Sequence, residues 1–545
     1  MRRILSAATA QSVLTRSVLT LSVLTLAASC ASGPASTPDA PSVAQSARAQ
    51  AAQQHPQILA EFGGAVEGPL GTYVAGVGSR IATVAGVPGQ CTFTVVNTDV
   101  VNAFAVPGCY IYVTRGILSV LNSEDELAAV LGHEVGHVTA NHGGSRQTAQ
   151  LAGTGLAILV GVLTGSADAF QMAAQAAQLF TLSYSRDQEI QSDDLGLRYL
   201  QGAGYNLFAL GDTMDALGTA EALDARVNDR QVRTIPTYAR SHPLSADRAA
   251  RARQGAAATG ATPTTVPERI DPYLAALNGM LVGDDPSQGF INGRTFAHPT
   301  LRLAFDAPQG FSLQNTARAV NISGPNAIRA QFSGGATLAQ AGSLETYAEG
   351  VLRQVLGNAA QQARITSTGR PAINGLQTAA ITAQAPTSQG QIAEVTVVAY
   401  NVNGRVYHFA VIGPAGGLGA AQPLINSLRA LSQQEAAALR AREMQIVTVA
   451  RGDTVASLSA RMAYDRFQTE RFLALNALPA GTVLRPGQQV KVVRYSTRPV
   501  AWQGASITLA LNPAAPIVGA HDHGDRGHGG YDHAGHGHDG HDHAR

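Results

Sequence analysis

Lysine is nearly missing from this sequence. Of 38 basic residues only Lys491 is a lysine, and together with abundant Ala and Gly this reads as a GC-rich bacterial coding bias, a background rather than a chemical signal. An excess of charge of either sign is missing too. The 38 basic and 37 acidic residues leave +1 over 545 positions, so no electrostatic footprint for nucleic acid is present. Two apolar runs stand out, one before Cys30 and "LAGTGLAILVGVLTG" at residues 151–165. Neither reaches the ~20 residues that a permanent membrane-spanning helix needs. Cysteine is limited to Cys30, Cys91 and Cys109. What is plentiful is apolar: 45% of residues are hydrophobic and 14% charged, enough for several cores.

The N-terminus opens "MRRIL", passes Arg16 and continues "SVLTLSVLTLAASCASG". A basic start, a short apolar run and small residues at its end predict a signal peptide over residues 1–29 and an exported body. "LAASC" resembles the lipobox of bacterial lipoproteins, with Ala27 where leucine is more usual. That resemblance implies lipidation of Cys30, stable anchoring by several acyl chains, a linker over residues 30–55, and a periplasmic lipoprotein of the outer rather than the inner membrane. An ordinary secretory signal with an incidental cysteine is the alternative. Cys91 and Cys109 flank "TFTVVNTDVVNAFAVPG", two strand-like runs around a turn. In an oxidising compartment they can pair, closing about 17 residues and adding roughly 3 kcal/mol, or they remain two buried thiols.

The sharpest pattern is "NSEDELAAVLGHEVGHVTANHGG". Ser123 as N-cap and Glu126 three residues on predict a capping box, and Gly143 and Gly144 a stop. On the helix between them His133 and His137 are one turn apart and can turn imidazoles to a single ion, with Glu134 beside that face. His142 falls about 140° further round and suits a supporting hydrogen bond. A third ligand is needed, and "SYSRDQEIQSDDLGLRYL" supplies a candidate. Ser185 and Gln188 predict a second capping box, which puts Glu189 and Asp193 one turn apart on a second helix. His133, His137 and Glu189 then make three ligands with one open position, the pattern of a catalytic zinc. Asp193 can hold a ligand histidine in its tautomer. A solvated acidic helix face is the bland alternative.

These segments resemble the M48 family of zinc metallopeptidases, whose motifs are HExxH with a downstream histidine and a distant Glu-x-x-x-Asp. "VNAFAVPGCYIYVTRGIL" resembles that family's Asn-Ala-Phe segment, and "SHPLSADRAAR" its later His-Pro segment. Cys109 and Ser192 depart from it, standing where glycine and alanine are usual. The resemblance implies an α+β fold with a mainly helical zincin-type domain and a small sheet over residues 56–260. It also implies one catalytic zinc ion on His133, His137 and Glu189, with Glu134 as general base on zinc-bound water. The strand at Asn102, Ala103 and Phe104 would receive an extended polypeptide by main-chain hydrogen bonds. His242 would reach the open metal position or the developing charge, or serve as an ordinary buried histidine, and Arg248 would hold its segment by a salt bridge. The run at 151–165 reads as a buried helix, with membrane contact or a mobile lid as the other reading.

Beyond "AAATGATPTTVPE" the chemistry thins. Residues 261–300 read as a linker with one short helix, and 301–435 as a separate α+β sandwich built from runs such as "EVTVVAY" and "RVYHFAVIG". Residues 445–495, through Gly452, Asp453, Thr454, Asn476, Pro486 and Gly487, resemble the LysM module, a βααβ unit. This implies peptidoglycan as a partner or a divergent structural copy. The tail over 496–545 ends with eight histidines among Gly and Asp. It is predicted to be disordered and a weak zinc binder near neutral pH. The sequence thus predicts a zinc endopeptidase for unfolded or misassembled envelope proteins. Its rival is a non-catalytic, peptidoglycan-binding envelope scaffold that holds a metal.

Overall fold

A computed structural model describes residues 42–143, 184–227, 242, 246–387 and 390–497. The predicted signal peptide with Cys30, the run at 151–165 and the histidine-rich tail lie outside the described residues. Among those described, no helix is long and apolar enough to cross a membrane. The architecture is α+β.

The expected linker is partly a helix. Helix α1 (Gln45–Glu61) puts Ala51 and Ile58, seven residues apart and so on one face, against Val96, Phe104, Val106 and Tyr112. Its Ala and Gln content resembles a tether, yet these residues favour helix wherever a surface is present to receive it. Helix α2 (Pro69–Val84) leads into a small sheet of β1 (Thr92–Val96), β2 (Ala103–Val106) and β3 (Tyr110–Thr114). The strand order is β1-β3-β2, with β1 parallel and β2 antiparallel to β3. Ala103 lies opposite Val113 and Phe104 opposite Tyr112, so β2 is an edge. A Cys91–Cys109 disulfide ties the start of β1 to the β2–β3 turn. Cys109 has φ 60° there, a left-handed conformation in which glycine is at ease and cysteine is not. The helical layer is α3 (Arg115–Val120), α4 (Glu124–Thr139), α5 (Arg186–Gly202), α6 (Ala209–Val227), α7 (Ala246–Ala258) and α8 (Ile270–Leu277).

The segment expected as a linker holds α8 and then three short strands: β4 (Leu281–Val282), β5 (Phe290–Asn292) and β6 (Thr295–His298). Strands of two to four residues carry no readable alternation. Strand β6 pairs with β7 (Leu303–Asp306), which pairs in turn with β15 (Arg429–Ala430), so the sandwich begins before residue 301. Its larger sheet has seven antiparallel strands: β8 (Ser312–Asn315), β9 (Val320–Ser323), β10 (Arg329–Thr337), β11 (Arg364–Gly369), β12 (Gln377–Pro386), β13 (Ile392–Val402) and β14 (Arg405–Pro414). They run in the order β11-β12-β13-β14-β10-β9-β8. One face carries α9 (Leu344–Leu356), with Ala348, Leu352 and Val355 on Ile381, Val395 and Val397. On the other face Phe332, Tyr400 and Phe409 meet Phe296, Leu303 and Phe305.

The last described segment runs β16 (Arg442–Thr448), α10 (Val455–Ser459), α11 (Gln468–Leu475), β17 (Gln489–Tyr495), the two strands being antiparallel. It does not stand apart. Strand β4 pairs with β16, and Met444, Leu458, Phe472, Val490 and Val492 share one core with Val77, Leu118 and Leu131 of the helical layer.

Two buried histidines give the sandwich a pH dependence. Burial lowers His298 and His408 to about 4 from an ordinary 6.5. The unfolded chain therefore takes up these protons first, so stability is complete above pH 6.5 and is lost as pH falls toward 4. Each histidine accounts for roughly 3 kcal/mol. Urea midpoints followed by tyrosine fluorescence should drop steeply between pH 6.5 and 4. In His408→Gln the drop should be smaller by that histidine's share.

Candidate metal centre

Helix α4 starts as its sequence dictates at one end and differs at the other. Ser123 Oγ accepts from Glu126 N at 3.1 Å, but the Glu126 carboxylate turns to Asn122 N at 2.8 Å rather than back to Ser123. The helix stops at Thr139, before Gly143, because Asn141 adopts φ 55°. Helix α5 has the full capping box of Ser185 and Gln188.

The two helices meet through small residues. A Cβ on Gly136 would lie 3.0 Å from Ser192 O, and one on Gly196 3.2 Å from His133 N. This closeness carries Glu189 of α5 to the histidines of α4. His133 Nε2 and His137 Nε2 are 3.0 Å apart, and Glu189 Oε1 is 3.4 Å from His137 Nε2. His242 Nδ1 is 3.2 Å from His133 Nε2 and 3.1 Å from Glu189 Oε1. One donor atom from each of His133, His137, Glu189 and His242 falls within 4.8 Å of the others, and all four residues are buried. Donors bound tetrahedrally to zinc at ~2.0–2.1 Å would be separated by about 3.3–3.4 Å, so the set has the dimensions of a zinc cage.

Glu134 differs from its neighbours. It is fully buried, and neither carboxylate oxygen has a hydrogen-bond partner among the described residues; His242 Nε2 stands 3.4 Å from Oε1. A buried carboxylate is normally satisfied, so this one is fitted for a polar occupant between itself and the donor cluster. The residues present thus fit a metal with a water beside it.

The two imidazole rings of α4 are held from behind. His133 Nδ1 is 2.9 Å from Asp193 Oδ1, and Arg248 grips Asp193 through Nε and Nη2 at 2.8 Å each while its Nη1 lies 2.6 Å from Glu189 Oε2. His137 Nδ1 is 2.9 Å from His142 Nδ1, whose Nε2 is 3.0 Å from Gln191 Oε1. A glutamine carbonyl oxygen can only accept. It therefore selects His142 Nε2–H, which leaves His142 Nδ1 to accept from His137 Nδ1–H and His137 Nε2 bare for a metal. Burial opposes charge on His133, but the Asp193 hydrogen bond and Glu189 outweigh it and raise its pKa. Burial likewise opposes charge on Glu189, and His242, His137 and His133 outweigh it, holding the carboxyl far below its usual range. His137 is pushed well below its ordinary value, chiefly by burial.

Two members of the site escaped sequence reasoning. The Tyr184 ring stacks on His137 at 3.5 Å and 18°, and Gln191 ends the His142 relay. Gln191 is two residues from Glu189, and Tyr184 immediately precedes the N-cap, but neither has a residue type that announces metal chemistry. Asn102, Ala103 and Phe104 are buried at the start of β2, where Thr114 Oγ1 bonds both the N–H and the carbonyl of Asn102.

Comparison with known proteins bears on the helical half. Residues 71–256 match the family model described as peptidase family M48. These residues form an M48 peptidase domain. Relatives of this M48 domain include the β-barrel assembly-enhancing protease of Escherichia coli K12, 31% identical over 224 residues that make up 38% of this chain and 43% of that protein. The mitochondrial metalloendopeptidase OMA1 of Arabidopsis thaliana is 39% identical over 112 residues, 21% and 22% of the two chains. The metalloprotease YcaL of Escherichia coli K12 is 28% identical over 181 residues, 32% of this chain and 67% of that one. The chain thus spans less than half of the first two.

The glycine contact makes the M48 domain's candidate metal site sensitive to bulk away from the donors. Gly136→Leu should force α5 off α4 at about 1–3 kcal/mol and weaken zinc binding by at least about tenfold, with helix content by circular dichroism retained. Unchanged zinc affinity would show that α5 is not positioned by this contact.

Proposed function

We propose that this chain is a zinc-dependent endopeptidase acting on unfolded or misassembled polypeptides of a bacterial envelope, exported and held at a membrane by a lipid on Cys30. One observation carries the catalytic reading: four buried donors converge beside Glu134, a buried carboxylate with no hydrogen-bond partner among the described residues. His133, His137 and Glu189 would hold the ion. Bound zinc supplies Lewis acidity, which brings a water's pKa near neutrality and polarises a carbonyl. Glu134, acceptor-only when ionised, takes the water's proton and later passes it to the leaving amine. Asp193 and Arg248 keep His133 and Glu189 oriented, and Gln191 and His142 do the same for His137.

His242 occupies the corner that water and substrate would need. It is the one donor carried by neither α4 nor α5, and its ring N–H would serve the charge that develops on the carbonyl oxygen. The edge strand β2 offers an extended peptide its main-chain groups, which favours unfolded polypeptide over a folded partner. The relative's name, β-barrel assembly-enhancing protease, suggests envelope β-barrel proteins as the substrate class and the periplasm as the compartment.

The rival is a non-catalytic scaffold that holds metal and binds peptidoglycan through residues 445–495. Glu134 speaks against it, since a buried carboxylate without a hydrogen bond costs on the order of 1–3 kcal/mol that a scaffold has no reason to carry. Glycan binding has little support: Asn476, one of the LysM-like positions, uses its side chain on the backbone of Lys491, with Lys491 N donating at 2.7 Å and Nδ2 donating to Lys491 O at 3.0 Å.

Glu134→Gln should keep one zinc per chain and cleave an unfolded outer-membrane β-barrel protein about 10³-fold more slowly than wild type. Metal analysis and gel-based cleavage read both quantities. Equal cleavage with zinc retained would remove Glu134 as the base.

A further inference from the structure

The single lysine has a place that an arginine cannot take. Lys491 lies on β17, is 0% exposed, and reaches the helical layer, where Nζ donates to Ser119 O at 2.8 Å and Leu121 O at 2.7 Å, with Val120 O at 3.5 Å. These are the carbonyls at the C-terminal end of α3, the partially negative end of a helix. Leu118 O is taken by Tyr273 Oη of α8 at 2.6 Å and Val120 O by Asn122 Nδ2 at 2.9 Å, so this helix end is closed by groups from three separate parts of the chain. An ammonium is compact and spends its donors on carbonyls crowded round one point. A planar guanidinium has five donors to satisfy and would leave some buried and unmet. A sequence that uses arginine at every other one of its 38 basic positions thus uses lysine where the larger group does not fit.

The site of contact matters. Helix α3 joins β3, which pairs with the edge strand β2, to α4, which carries His133 and His137. Residues 121–123 are the whole connection. Asn476 fixes the backbone of Lys491 from within its own segment, and β4 pairs with β16. Gly279 N donates to Met444 O and Met444 N to Met280 O, both at 2.8 Å. The βααβ segment is therefore bound to the M48 domain by a shared core and the buried Lys491 amine, and to the stretch just after that domain by strand β4.

We propose that residues 442–495 are a fixed brace of the M48 domain, that Lys491 is a positioning residue for the metal-bearing helix α4, and that docking of the brace is energetically coupled to metal binding at His133, His137 and Glu189. This rests on the metal reading given above. Because coupling is reciprocal, metal must tighten the brace by the factor by which the brace tightens metal.

The lone lysine makes a clean reporter. Apart from the chain's α-amine, an amine-reactive acetylating reagent has only Lys491 to modify. In the native full-length protein the Lys491 peptide should be acetylated at least about 100-fold more slowly than in urea, and saturating zinc should slow it further by about tenfold. Lys491→Met, compared by chelator competition at a temperature where both proteins are folded, should bind its tightest zinc about tenfold more weakly. Native labelling as fast as in urea, or labelling indifferent to zinc, overturns the proposal even where Lys491→Met does not fold. Equal zinc affinity in a folded Lys491→Met overturns it as well while leaving the metal site intact. A wild-type protein that binds no zinc overturns the metal reading and the coupling together.

Discussion

Helix α4 is buried at 14 of its 16 positions, from Glu124 to His137, and the rest of the molecule is arranged around what that burial requires. Its first turn carries three carboxylates. Acids suit the positive end of a helix, but burial, which pushes the Glu126 carboxyl up to about 8, obliges each to find donors. Glu124 receives Tyr73 Oη at 2.6 Å, Arg80 Nη2 at 2.5 Å and Tyr205 Oη at 3.0 Å. Asp125 receives Asn206 N at 2.8 Å, and Arg269 N and Nη1 at 2.7 and 2.9 Å. Glu126 receives Asn122 N. One helical turn thus binds α2, the α5–α6 connection and the segment before α8. The helix that carries the histidines is thereby anchored at its start to three other segments, the kind of support that a precisely positioned site requires.

The far end of the helix follows a different rule. Glu189 and Asp193 lie at ion-pair distance from histidines and from Arg248, whereas Glu134, fully buried, has a hydrogen-bond partner for neither oxygen among the described residues and only the His242 ring at 3.4 Å among them. Packing alone does not produce that contrast. Where every other buried acid of the helix has partners, the one that lacks them borders the donor cluster, and reactive groups are expected where local satisfaction is incomplete.

What the sequence made legible follows the range of the physics involved. The HExxH face, the Ser123 cap and the α5 capping box depend on neighbours within four residues, so Glu189 and Asp193 could be named as a pair. The strands of the sandwich were readable because nine- to eleven-residue runs such as β13 alternate or are continuously apolar. Long-range features were not legible. Tyr184 and Gln191 acquire a role only from the approach of α5 to α4, and β4 exists because β16 is there to pair with it. Residues 45–55 are helical because β2 and β3 offer Phe104 and Tyr112 to cover. The closing half of the Ser123 capping box failed for a local reason of the same kind, since Asn122 N competed for the Glu126 carboxylate.

The family match ends at residue 256, and the physical unit does not. Arg269, Tyr273 and Lys491 all lie beyond it, yet they supply the donors to Asp125, Leu118 O, Ser119 O and Leu121 O. A peptidase domain cut at residue 260 would expose the core it shares with Met444, Phe472 and Val492 and leave these buried acceptors at the start of α4 and the end of α3 to water. Similarity between sequences marks residues that chemistry holds in place. The boundary of a folding unit is set by where its buried polar groups find their partners, and here that lies more than 200 residues further along the chain.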